Sequence, residues 1–112
     1  MSEVPSLDRV ELVLLRRPAS RPEVTDDEAA RLQRLHLRHL TAMLEAGHLL
    51  VAGPVDEQPD ESLRGLCLYR TGSLTRTREL AESDPAVAAG RLAVDVMWLY
   101  CPEGQLPVGP RR

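Results

Sequence analysis

Lysine and phenylalanine are absent from this 112-residue chain, and aromatic residues make up only 3% of it. All fourteen basic residues are therefore arginine, a usage that, with the wealth of alanine and leucine, points to genomic bias and not to a functional device. No apolar run approaches the ~18 residues of a membrane span. The opening MSEVPSLDR has neither the charged n-region nor the apolar h-region of a secretion signal, so a cytoplasmic location is expected. An excess of positive charge is missing too: the net charge is -3, which argues against a nucleic-acid footprint, since that needs a clustered basic face. Two cysteines, Cys67 and Cys101, do not make a disulfide framework. CxxC pairs, HExxH and acidic calcium loops are also lacking. His36 and His39, three residues apart, are weak evidence for a metal site, so neither metal nor cofactor is expected.

What remains is 43% hydrophobic and 28% charged, enough for one soluble domain over residues 1–112 and too short for two. Residues 1–8 read as a frayed lead-in. Val10 to Leu15 (VELVLL) reads as a strand apolar on both faces, and RRPASRPEV ends it in a loop. Thr25-Asp26-Asp27-Glu28 predicts a helix start of the capping-box type, in which Thr25 accepts from the Glu28 amide and Glu28 reaches back. That helix runs to Ala46, with Gly47 as its left-handed stop. His48 to Ala52 and Leu63 to Arg70 are the next strands, separated by the polar loop GPVDEQPDES. Ser73 caps a second helix to about Glu82, with Leu74, Thr77, Leu80 and Ala81 inward. Asp84-Pro85 opens a short helical turn that Gly90 stops. Arg91 to Tyr100 is the last strand, and the tail from Pro102 to residue 112 is expected to be loosely held.

The order β-α-β-β-α-β describes an α+β, ferredoxin-like domain: a four-stranded antiparallel sheet with both helices on one face. The first and third strands are central and the fourth lies beside the first. Cys67 and Cys101 are then separated by a strand, roughly 10 Å apart, too far for a disulfide. Helices cover one face only, yet the strands are apolar on both. The cheapest cover for the spare face is a second copy, so a homodimer packed sheet to sheet is expected.

The chemistry-bearing feature is the first helix. At about 100° per residue, Leu32, His36, His39 and Met43 project within a narrow arc, flanked by Leu35 and Leu40. An imidazole on an apolar stripe is costly unless both nitrogens are bonded or one is used for chemistry. A general acid/base role for His36 therefore stands beside a plainer one, a packed side chain donating to a backbone carbonyl. Asp84, directly before Pro85, is a natural helix cap. Arg16 and Arg17, at the end of a central strand, can hold a carboxylate or phenolate. Trp98 can line a pocket or fill the core.

The opening strand followed by RRP, the run HLRHLTAMLEAGHLLVAGP, the segment SDPAVAAGRL and the last strand with Trp98 occur in an order that resembles the YciI-like (YCII-related) family of the dimeric α+β-barrel superfamily. The resemblance implies a small, cofactor-free dimer acting on ring-shaped metabolites, as muconolactone isomerases and a dehydrochlorinase of chlorinated hydroxyquinols do. It implies a catalytic histidine at His36, in the HL motif, with an aspartate partner. In some members that aspartate directly follows the first strand, where this chain has Arg16-Arg17-Pro18, leaving Asp84 and then Asp56 as candidates. The resulting expectation is proton transfer on a small cyclic or enol-type metabolite, with His36 and Asp84 catalytic. His39, Asp56, Arg16, Arg17 and Trp98 are the candidate substrate-binding residues. The rival expectation is a non-catalytic dimeric binding or regulatory accessory using the same pocket.

Overall fold

Thr25 sets where the first helix begins. In the computed structural model, which describes residues 6–106, its hydroxyl accepts from the Glu28 amide at 3.1 Å. Helix α1 then runs over Asp26–Glu45, and Gly47, at φ 79°, carries the chain out in the left-handed conformation. The reciprocal half of the expected capping box does not form. Glu28 instead grips Arg31 one turn on, through Nε at 2.6 Å and Nη2 at 2.9 Å, because that partner is charged and the Thr25 amide is not.

Around α1 the chain builds β1 (Leu7–Arg16), β2 (Leu49–Pro54), β3 (Leu63–Tyr69), α2 (Leu74–Glu82), a short helix α3 (Pro85–Ala88) and β4 (Ala93–Pro102). The strands form one antiparallel sheet in the order β2-β3-β1-β4, the expected ferredoxin-like α+β arrangement. Both cysteines are free.

Several strand boundaries differ from expectation, β2 running over Leu49–Pro54 in place of His48 to Ala52 among them. β1 and β4 pair down to Leu7↔Pro102 and Asp8↔Cys101, and beyond them the Glu103 amide donates to the Ser6 carbonyl at 3.1 Å. The stretch from Ser6 to Asp8 and the start of the tail are thus bound into the sheet and not loose. Their polar composition hides this, since ladder bonds use backbone groups that every sequence carries. The remaining tail residues, 1–5 and 107–112, lie outside the described residues. β4 also begins two residues late, because the amides of Arg91 and Leu92 both donate to the Ala86 carbonyl and close α3.

Alternation along the strands sorts the side chains. Val13 and Leu15 of β1, with Cys67 and Tyr69 of β3, face the helices and join Leu49, Leu80 and Ala81 in the core. The opposite face carries Leu12 and Leu14 of β1 with Leu66 and Leu68 of β3, all half-buried. Val51 and Met97 on that face remain 49% and 36% exposed.

Towards one end of the sheet the helix side is not filled. Gly65 offers no side chain there, and an added Cβ would lie 2.8 Å from the Gly53 carbonyl oxygen. Ala29 on α1, Ala52 on β2 and Ala86 on α3 are likewise small. The result is a cavity of about 460 Å³ between α1 and the sheet.

Candidate functional site

His36 lies one turn after Leu32 on α1, and these are the buried residues of that helix. Asp84 arrives from 48 residues away, at the junction of α2 and α3. Its two oxygens have separate duties. Oδ1 accepts from the Ala86 amide at 2.9 Å, capping α3, while Oδ2 contacts His36 Nδ1. The pair is deeply buried, His36 being 7% and Asp84 2% exposed. In the neutral ring a carboxylate at Nδ1 selects the tautomer in which Nδ1 carries the hydrogen and donates and Nε2 keeps its lone pair. Among the described residues no hydrogen bond engages Nε2, and His36 lines the cavity. The carboxylate therefore orients the ring through one nitrogen, and the ring borders the cavity.

The remaining wall is mostly apolar, with Leu15, Leu32, Leu40 and Leu92. A volume of about 460 Å³ falls in the range of roughly 300–1,000 Å³ typical of small-ligand sites. Beneath the dyad, burial pushes the Cys67 thiol up to about 12, with the Asp84 charge adding to the effect. Burial likewise raises the Tyr69 hydroxyl, helped by Cys67 and Asp84. Both stay protonated at neutral pH, so Cys67 offers no thiolate nucleophile.

Of the two carboxylates considered for His36, Asp84 is the one in contact. Asp56 is exposed, and its Oδ1 accepts from the Glu57 amide at 2.9 Å in a turn where Glu57 has φ 56°. His39 does not line the cavity. Its Nε2 is buried with no partner, and burial lowers its pKa against the opposing pull of Asp84. Arg16 is committed elsewhere, with Nε on Asp95 at 2.8 Å and Nη1 on Asp60 at 2.7 Å. Arg17 borders a second, polar hollow beside the cavity. Trp98 sits opposite Glu11 towards the far end of the sheet, its ring covered by the Arg9 guanidinium at 3.9 Å. Among the described residues there is no cluster of three or more His, Cys, Asp or Glu side chains able to hold a metal ion.

Sequence reasoning missed two groups. Arg21, Arg64 and Arg91 line the cavity, yet they come from separate loops and a strand end, so no spacing could link them. Glu11 is 1% exposed, and its carboxylate accepts from the Thr71 amide at 2.7 Å, the Thr77 hydroxyl at 2.6 Å and the Gly72 amide at 3.2 Å. It pins the β3–α2 turn. The available signal was a lone acid on the same strand face as Val13 and Leu15.

Sheet order, helix placement and a histidine–carboxylate pair at a cavity define a ferredoxin-like α+β domain with a concave candidate site. Residues 11–98 match the family model of the YCII-related domain, and the chain belongs to that family. No curated protein matches it. No helix among the described residues is long and apolar enough to cross a membrane.

Proposed function

We propose that this chain is a small enzyme that moves protons on a small cyclic or enol-type metabolite without a cofactor, by isomerisation, elimination or ring closure. The observation that carries the reading is the His36–Asp84 pair. One imidazole nitrogen is held by a buried carboxylate and the ring borders a cavity of ligand size. His36 Nε2 is the base that takes the proton and returns it to another position of the substrate or to the leaving group. Asp84 fixes the ring and stabilises the imidazolium that forms, as carboxylates behind catalytic histidines do. General acid–base catalysis of this kind contributes about 10²–10⁴-fold. Membership of the YCII-related family supports the reading through the resemblance noted above.

The working unit is a homodimer. Supporting this, Leu12, Leu14, Leu66 and Leu68 line the sheet face that no helix covers, with Val51 and Met97 exposed among them.

The test uses a panel of small lactones, cyclic enols and enolisable ketones incubated with the protein in deuterium oxide. A compound that the native chain isomerises, eliminates or exchanges with solvent deuterium should be left untouched by His36→Ala, with circular dichroism confirming that the variant is folded. Turnover surviving in His36→Ala removes the proposal.

A further inference from the structure

The cavity beside His36 is lined by three arginines, Arg21, Arg64 and Arg91, and, among the described residues, by no acidic one. In a chain of net charge -3 this needs a cause. Arg21 and Arg91 also border the adjoining polar hollow, where Arg17 is a fourth cation and Glu23 the acid. Among the described residues none of these four arginines has an ion-pair partner; the pairs involve Arg16, Arg31, Arg76 and Arg78. Burial lowers the Arg21 pKa, and repulsion from Arg91, Arg17 and Arg64 lowers it further. Four like charges gathered around a single acid, Glu23, with no ion pair between them repel one another, and a bound anion relieves that repulsion.

The two inner arginines are also pre-positioned. Arg91 Nη1 donates to the Pro22 carbonyl at 2.8 Å, and Arg21 Nη1 to the Arg91 carbonyl at 3.4 Å. Gly90 lets the loops lie this close, since a Cβ there would meet Pro22 Cδ at 3.2 Å. Each guanidinium spends one N–H group on these ties and keeps others for a guest. Fixing them beforehand lowers the entropic cost of binding.

We infer that the ligand is an organic anion, its carboxylate held by Arg21, Arg64 and Arg91 and its apolar ring or chain lying against Leu15, Leu32, Leu40 and Leu92 in front of His36. The inference builds on the reading of this cavity as the ligand site and narrows the substrate to a class: a small, largely apolar metabolite with a carboxylate at one end. The expected holders, Arg16 and Arg17, give way to three arginines that a sequence pattern does not connect.

Benzoate and its neutral analogue benzamide test this by NMR titration of the full chain. Benzoate should bind saturably and benzamide at least about tenfold more weakly, the loss expected when a charge-assisted pair is replaced by neutral hydrogen bonds. Arg91→Gln and Arg64→Gln should each weaken benzoate several-fold. Arg64 is exposed, so its variant decides the matter should Arg91→Gln unfold on losing the Pro22 tie. Absence of saturable benzoate binding, equal affinity for benzamide, or unchanged benzoate affinity in Arg64→Gln overturns the inference. His36→Ala should still bind benzoate. If instead it keeps both turnover and arginine-dependent binding, the proton-transfer reading fails while the anion site stands.

Discussion

Replacing Asp84 by Asn or by Ala separates the two duties of one side chain. The Ala86 amide at 2.9 Å requires an acceptor, so in Asp84→Asn the amide oxygen stays at the cap and the NH₂ group takes the place of Oδ2. That NH₂ donates to His36 Nδ1, forcing the hydrogen onto Nε2 and removing the lone pair that faces the cavity. Asn is as good a helix cap as Asp, so the stability loss is limited to exchanging a charge-assisted hydrogen bond for a neutral one, about 1 kcal/mol. Asp84→Ala loses the cap, about 1 kcal/mol, and leaves His36 Nδ1 buried without a partner, a further 1–3 kcal/mol or so. At roughly 4 °C per kcal/mol for a domain of this size, Tm should fall by about 4 °C for Asn and about 8–16 °C for Ala. Activity should fall in both, by about 10²–10⁴-fold. Thermal unfolding gives the stability loss, turnover of a substrate found in the panel gives the activity loss, and imidazole ¹⁵N shifts separate the two tautomers. Equal destabilisation by Asn and Ala, or an Nε2 that stays unprotonated in Asp84→Asn, would refute the division of labour between the two oxygens.

Glu11→Gln sets an amide NH₂ against the Thr71, Thr77 and Gly72 donors and should cost about 2–4 kcal/mol, read from the urea midpoint; a loss below about 1 kcal/mol contradicts the network's role. His39 is held below its ordinary pKa, chiefly by burial, so the unfolded chain takes up a proton that the folded chain resists. Stability should therefore be full above about pH 6.5 and decline as pH falls through that value; His39→Leu should show a shallower decline, and identical slopes would dismiss the argument. Met97→Asp places a charge on the uncovered sheet face and should turn the proposed dimer into a 12.4 kDa monomer in sedimentation, whereas a native chain already monomeric at micromolar concentration removes the dimer.

The helices and their ends were readable because their causes are local. Thr25 and Ser73 accept from amides three residues on, and Gly47 turns the chain where α1 must stop. Strand alternation and element order gave the sheet, and the apolar arc of α1 singled out His36 before any partner was known. The extra pairs at Leu7↔Pro102 were not readable, because strand pairing draws on backbone groups common to all residues. The choice of Asp84 over Asp56 belongs to the tertiary structure, which packs α3 against α1 and leaves Asp56 in an exposed turn. So does the meeting of Arg21, Arg64 and Arg91, brought from three separate segments to one wall. Sequence alone settles what each residue does with its near neighbours; the company kept by side chains tens of residues apart depends on how the layers pack, and in this chain that company makes the candidate site.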